Sequence, residues 1–251
     1  MASTPIKSPH RVPTASSPKS AFRESIVNGK SLKCGIYGQL DAAGLKELDA
    51  IQLISTYPSD AVLFSEKEPA RGVFILSEGQ IKLSIASSVG KTLILQIARP
   101  GEPLGFAAVL GGYPYEATAT ALQPSTVAFI RSRDFLSFLE TYPSVRRYIL
   151  KCVVSAYGSL CDQLRTVALS SMPKRVARVL LGWSAGASPR DSFSSQITMP
   201  LTHGEIGELI GSARESVTRT LADFKDRHLI TMSGAAVTIH DRKALEQIAD
   251  D

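Results

Sequence analysis

Residues 201–224 read LTHGEIGELIGSARESVTRTLADF, and two short helices are written into this run. Thr202-His203-Gly204-Glu205 and Ser212-Ala213-Arg214-Glu215 each place a hydroxyl three residues ahead of a glutamate. That spacing is a capping box: the hydroxyl accepts from a first-turn amide while the carboxylate reaches back to the cap residue's own amide. Gly211, after Ile210, supplies the freedom a tight turn between the helices needs. Ile206 and Leu209 are expected to face inward from the first helix, and Val217, Leu221 and Phe224 from the second. Two short helices sharing one small core predict a helix-turn-helix.

With Val217 and Leu221 buried, the second helix presents Ala213, Arg214, Glu215, Thr218 and Arg219 outward. These types suit a DNA groove. Arginine can donate two bonds to guanine, glutamate can accept from the cytosine amino group, and a small Ala213 lets the helix start approach the backbone closely. Thr202 and Ser216 are expected at phosphates, and Ser212, the second N-cap, is expected among the DNA-binding residues. An ordinary solvated helix is the competing account, because Glu215 and Arg219 also form a favourable i,i+4 pair.

Outward from this segment, MPKRVARVLLGW (172–183) predicts a helix with Val176, Leu180 and Trp183 on one face, stopping near Gly186. ASPRDSFSSQ is a polar loop and ITMPL (197–201) a short strand. HLITM (228–232), a turn at Ser233-Gly234 and AVTI (236–239) predict a small β-wing, followed by a helix begun by Asp241. Further back, from about Tyr142 to Val167, Leu150, Val153, Tyr157, Leu160, Leu164 and Val167 recur at alternating steps of three and four. This heptad seam predicts a homodimerisation helix.

Before it the period changes to two. AVLF (61–64), VFIL (73–76), IKLSI (81–85), TLILQIA (92–98), YEATATAL (115–122) and TVAFI (126–130) are separated by turn signals such as Glu78-Gly79 and Pro100-Gly101. Ile81, Leu83 and Ile85 alternate with Lys82 and Ser84, as in a strand with one dry face and one wet face. Many short strands without intervening helices predict a sandwich or small barrel. Residues 38–56 carry Leu40, Leu45, Leu48, Ile51 and Leu53 near helical spacing and predict an amphipathic helical segment.

The formal charge of +5 comes entirely from the N-terminus, where Lys7, Arg11, Lys19, Arg23, Lys30 and Lys33 stand against Glu24. Net charge therefore says nothing for DNA binding by the C-terminal half. Residues 1–20, rich in Ser, Pro, Thr and Lys, predict a disordered tail. No apolar stretch approaches the roughly 18 residues a membrane span needs, and the N-terminus lacks the apolar core of a signal peptide, so a cytoplasmic protein is expected. Of the three cysteines, Cys152 and Cys161 lie in one predicted helix, roughly 13 Å apart on opposite faces, and Cys34 stands alone. Neither a disulfide framework nor a metal site is written here.

The run GVFILSEGQIKLSI, the PGEPLG turn, the long helix and SARESVTRTL together resemble the Crp/Fnr family of bacterial transcription regulators, over about residues 35–245. The resemblance implies an α+β fold: a tail (1–33), an antiparallel, cupin-like jelly-roll barrel of the cyclic-nucleotide-binding type (34–141), a dimerisation helix (142–170) and a winged helix-turn-helix (171–251). It also implies palindromic double-stranded DNA and RNA polymerase as partners. The family's cyclic-AMP receptor reads DNA with Arg-Glu-x-x-x-Arg, which Arg214, Glu215 and Arg219 reproduce; the Fnr branch uses Glu-x-x-Ser-Arg, with Thr218 here in place of serine. A TGTGA-like half-site is expected first and a TTGAT-like one second.

The family's sensor chemistry fails in this sequence. Cyclic-nucleotide barrels resembling this one use Gly-Glu-Leu and Arg-Ser/Thr-Ala motifs, where this chain has Gly105-Phe106-Ala107 and Tyr115-Glu116-Ala117-Thr118. Phe106 cannot accept a ribose hydroxyl proton, and Glu116 repels a phosphate. The four histidines, His10, His203, His228 and His240, lie outside the barrel, and only one cysteine precedes residue 150, so haem, cupin metal and iron–sulfur centres lack ligands and no cofactor is expected. Phe106, Tyr113 and Tyr115 could instead line a pocket for an apolar or aromatic effector, with Glu116 beside them in an effector site, although core packing is the plainer role of the aromatic side chains. The effector is thus unidentified or absent. The alternative to a regulator, a cupin-like enzyme or effector-binding module whose C-terminal domain serves protein interaction, leaves Arg214, Glu215 and Arg219 unexplained.

Overall fold

In the computed structural model, residues 35–184, 195–198, 201–234 and 236–250 are described. The predicted tail, Cys34 and most of the 187–196 loop lie outside them. The chain divides into two compact units: one runs up to Ile81 and takes in Ala98–Tyr115 and Thr120–Ile149, and the other comprises Lys82–Ile97, Glu116–Ala119 and Leu150–Asp251.

A 3-10 turn at Ile36–Gln39 leads into α1 (Ala42–Ile51), whose first turn is capped by the Asp41 carboxylate accepting from the Gly44 amide at 2.8 Å. The helix expected over 38–56 stops at Ile51. From Gln52 the chain is strand β1 (Gln52–Tyr57), because Ile54 and Thr56 pair with Ala128 and Thr126 across a ladder that a helix would forfeit. Leu53, assigned by its spacing to the helix's apolar face, is more than half exposed.

The strands continue as β2 (Val62–Phe64), β3 (Gly72–Glu78), β4 (Ile81–Ala86), β5 (Thr92–Ala98) and β6 (Pro103–Leu104). After helix α2 (Phe106–Gly111) come β7 (Thr118–Ala121) and β8 (Ser125–Arg131). They form two four-stranded sheets, ordered β1-β8-β3-β6 and β2-β7-β4-β5. In the first, every pairing is antiparallel, and Val73 and Ile75 of β3 join Ala128 and Ile130 of β8 in a core with Leu48 and Ile36. The expected alternation along β4 is not realised. Ile81 and Ser84 are buried while Lys82, Leu83 and Ile85 are half-buried, because Lys82 is covered by an ion pair and neither side of the strand is fully wet.

The strands are not free of helices. Besides α2, helix α3 (Ser132–Thr141) follows β8 and buries Phe135, Phe138 and Leu139. It ends at Tyr142, held out of helical geometry ahead of Pro143. Helix α4 (Pro143–Leu169) starts on that proline. Val145 and Ile149 are buried, but Leu150, Val153, Val154, Tyr157, Leu160 and Leu164 are all exposed.

The C-terminal part comprises α5 (Met172–Ser184), β9 (Ser195–Thr198), α6 (His203–Ile210), α7 (Arg214–Asp226), β10 (Ile230–Ser233), β11 (Ala236–Ile239) and α8 (Arg242–Asp250). The wing is an antiparallel sheet of order β10-β11-β9, and β9 begins two residues ahead of the expected ITMPL strand. Asp241 caps α8 by accepting from the Ala244 amide at 2.9 Å. Among the described residues, no helix is long and apolar enough to cross a membrane.

Candidate nucleic-acid interface

The first capping box forms as the sequence predicts. Thr202 Oγ1 accepts from the Glu205 amide at 3.2 Å, and Glu205 Oε2 accepts from the Thr202 amide at 3.0 Å. The other carboxylate oxygen, Oε1, meets Lys82 Nζ at 3.0 Å. Burial pushes the Glu205 carboxyl up, but the Thr202 amide, the Lys82 ammonium and the Thr202 hydroxyl outweigh it and hold the group below its ordinary value. The Thr202 hydroxyl also donates to Glu205 Oε2 at 3.0 Å, so both its donor and an acceptor role serve the cap.

The second capping box does not form. Helix α7 begins one residue later than its pattern suggests, with Ala213 as N-cap and no side chain capping it. The Ser212 amide donates to Gly207 O at 2.8 Å, which draws Ser212 into the inter-helix turn, and Glu215 falls at the second helical position, out of reach of its intended partner. Gly211 does make that turn, with φ +66° in the left-handed region. A Cβ there would lie 2.8 Å from Val167 Cγ1 on α4.

Two side chains hold the end of α6. Gln163 of α4 donates to Leu209 O and to Ile94 O on β5, while Arg175 of α5 donates to Ile210 O at 3.1 Å and to Ser170 O at 2.9 Å. These bonds satisfy carbonyls that a helix end leaves without partners. Ile206, Val217, Leu221 and Phe224 are buried as expected, but Ile210 rather than Leu209 completes the inward face of α6, since Leu209 is only half-buried.

Ala213, Arg214, Glu215, Thr218 and Arg219 are all exposed, and Ser212 and Ser216 half-buried. Among the described residues, the side chains of Arg214, Glu215 and Arg219 make no hydrogen bond or ion pair, so the Glu215–Arg219 pair of the solvated-helix account is not formed. Thr218 is engaged: its hydroxyl donates to Arg214 O at 3.0 Å and lies 3.0 Å from His203 Nδ1. His203, Lys82, Gln163 and Arg175 were not predicted at the site. Their partners on α6 and α7 lie 15 to 123 residues away, beyond any local pattern.

The candidate effector residues differ in exposure. Tyr115 is buried, stacked on Phe64 with ring centres 4.0 Å apart, and its hydroxyl donates to Gly72 O at 2.7 Å while accepting from the Gly72 amide. Gly105, in the left-handed region, accommodates this ring, since a Cβ there would come within 2.7 Å of it. Phe106 is half-buried at the head of α2, and Glu116 and Tyr113 are exposed.

Comparison with known proteins agrees with this architecture. The cyclic nucleotide-binding domain family matches residues 54–142, and the Crp-like helix-turn-helix domain family matches residues 174–248. The CRP-like cAMP-activated global transcriptional regulator of Mycobacterium tuberculosis is 25% identical over 218 residues, 86% of this chain and 97% of that protein. The nitrogen fixation regulation protein FixK of Bradyrhizobium diazoefficiens is 24% identical over 214 residues, 85% and 89% of the two chains. Among solved structures, FixK2 from Bradyrhizobium japonicum superposes with a TM-score of 0.70 at 19% identity, covering 79% of this chain and 97% of that one. TTHB099, a CRP-family transcriptional regulator from Thermus thermophilus, gives 0.64 at 25% identity, covering 78% and 97%. With a nucleotide-binding-type sheet domain, a winged helix-turn-helix and full-length relatives that are transcription regulators, the chain belongs to the Crp/Fnr family of bacterial transcription regulators.

Proposed function

We propose that the protein acts in the cytoplasm as a homodimer that binds a palindromic operator, reads a TGTGA-like half-site with Arg214, Glu215 and Arg219, and acts on RNA polymerase. The observation that carries the reading is the state of α7: its buried side is filled by Val217, Leu221 and Phe224, while three charged side chains on the other side have no partner among the described residues. Charged groups with no internal role are those available to base edges. The unpaired start of α7 adds amides that suit a phosphate. Dimerisation is supported by the exposure of the α4 seam, where Leu150, Tyr157 and Leu164 lie more than 60% in solvent.

The effector is not cyclic AMP, or there is none. Phe106 replaces the ribose-binding carboxylate, and Glu116, exposed, replaces the phosphate-binding arginine. One experiment tests the reading: DNA fragments are selected with the purified protein, and the preferred one is titrated by fluorescence anisotropy with and without cyclic AMP at fixed salt. The expected result is a palindrome with half-sites about 34 Å apart and the same affinity in both arms. A non-palindromic site, or binding that appears only with cyclic AMP, overturns the proposal.

A further inference from the structure

Of the four side chains Arg214, Glu215, Thr218 and Arg219, Thr218 is the one whose polar group is already engaged among the described residues. Its oxygen lies 3.0 Å from two atoms, Arg214 O one turn back and His203 Nδ1 at the start of α6. A threonine hydroxyl has a single proton, and a carbonyl can only accept. Both contacts are hydrogen bonds only if the hydroxyl donates to Arg214 O and His203 donates from Nδ1, which fixes the imidazole tautomer. So arranged, the hydroxyl has no proton left for a guanine or thymine acceptor. What Thr218 still offers is its methyl group, on an exposed residue beside Arg214, Glu215 and Arg219.

We propose that Thr218 reads a thymine through methyl–methyl contact, and that His203 is the positioning residue that holds its hydroxyl aside. The proposal rests on α7 being the DNA-reading helix and adds the chemistry of one base position. An apolar contact to the thymine C5-methyl distinguishes thymine from the other bases in the major groove. His203 contributes by taking up the lone pair that would otherwise draw the side chain toward an adenine or cytosine amino group.

The test removes the thymine methyl without touching the base's hydrogen bonding. In the selected operator each thymine is replaced in turn by deoxyuridine, symmetrically in both half-sites, and the full-length protein is titrated by anisotropy at one salt concentration. Wild type is expected to bind about fourfold more weakly per half-site at one position, the effect of one buried methyl group. Thr218→Val keeps a methyl and loses the hydroxyl, so it retains that response. Thr218→Ser keeps the hydroxyl and loses the methyl, so it binds thymine and deoxyuridine alike. His203→Ala lowers the response at that position only, and His203→Gln, with a donor to offer, restores part of it.

Identical deoxyuridine profiles for wild type and Thr218→Ser overturn the proposal, as does a Thr218→Val protein that loses the response. Arg214→Ala, run alongside, separates the two levels. If Arg214→Ala weakens binding at one base pair while no thymine is methyl-sensitive, the reading helix stands and this inference fails. If Arg214→Ala binds like wild type, the assignment of α7 itself fails.

Discussion

Tyr115 and Arg214 are both candidate binding residues in the sequence, Tyr115 with core packing as its plainer role, and the structure treats them in opposite ways. The Tyr115 hydroxyl is joined to both backbone groups of Gly72 and its ring is stacked on Phe64. Burial pushes its phenol up, away from any role in proton exchange near neutral pH. Arg214 is exposed and its guanidinium has no partner among the described residues. A polar group whose bonds close within the protein holds structure, and one left open at the surface is available to a ligand. The difference is invisible in residue type and visible in hydrogen-bond accounting.

The seam of α4 is the apolar counterpart of Arg214, a set of groups left open, and disrupting it has the largest expected effect. Leu160→Glu should yield a folded monomer that loses operator binding, because a charge at a residue 42% exposed is tolerated in the isolated chain but not in a paired seam. Light scattering that still reports a dimer breaks the comparison. Next, Arg214→Ala should leave thermal stability unchanged and cost about 1–3 kcal/mol per half-site at a single base pair, measured by anisotropy against each single-base variant. Equal weakening on every sequence makes Arg214 a backbone contact.

For Tyr115→Phe the two readouts exchange places. Loss of its hydroxyl strands the Gly72 groups and should cost about 1–3 kcal/mol in urea unfolding, with operator affinity unchanged. An unaltered unfolding midpoint would show that its internal bonds are dispensable. Thr202→Ala should cost about 1 kcal/mol of stability through loss of the cap. Its effect on DNA binding should be uniform across sequences, as for a phosphate contact; a base-specific change would show that Thr202 contacts a base instead.

The smallest effect concerns pH. Glu205 sits below its ordinary value of 4.5, so in the folded state it binds a proton less readily than in the unfolded chain. Its contribution is therefore fully present above about pH 4.5 and is lost as the pH falls through the lower folded value. Unfolding curves of wild type and Glu205→Gln should converge as the pH drops through that window, and parallel curves would show that the Lys82 and Thr202 contacts contribute nothing.

The helix-turn-helix was legible because its determinants are local: the Thr202–Glu205 box, Gly211 and the spacing of Val217, Leu221 and Phe224 lie within 23 residues. The same rule applied to Ser212 failed, because Ser212 is also the residue that closes the turn onto Gly207, and tertiary geometry overrode the capping pattern. The strands were legible from turn signals, but helix α3 was not, since Phe135, Phe138 and Leu139 fall between a strand signal and a longer, stronger helical period. Residues 52–56 fit a helical and an extended pattern alike, and pairing with β8 decided between them. Core packing is the plainer reading of Tyr115 from sequence, and its partners Gly72 and Phe64, 43 and 51 residues away, are what no local pattern could supply.

Gln163 lies on α4 between Leu160 and Leu164, and its amide is tied to the end of α6. In a dimer built on that seam, one helical turn would therefore carry both the symmetry axis and the anchor of the DNA-reading head. The distance between the two heads would be a dimension of the protein, set by where along α4 the anchor sits and not by the length of a tether. Moving the anchor by one turn would shift each head by about 5.4 Å along the helix. Such a dimer is a gauge, and the spacing of its operator is the length it measures.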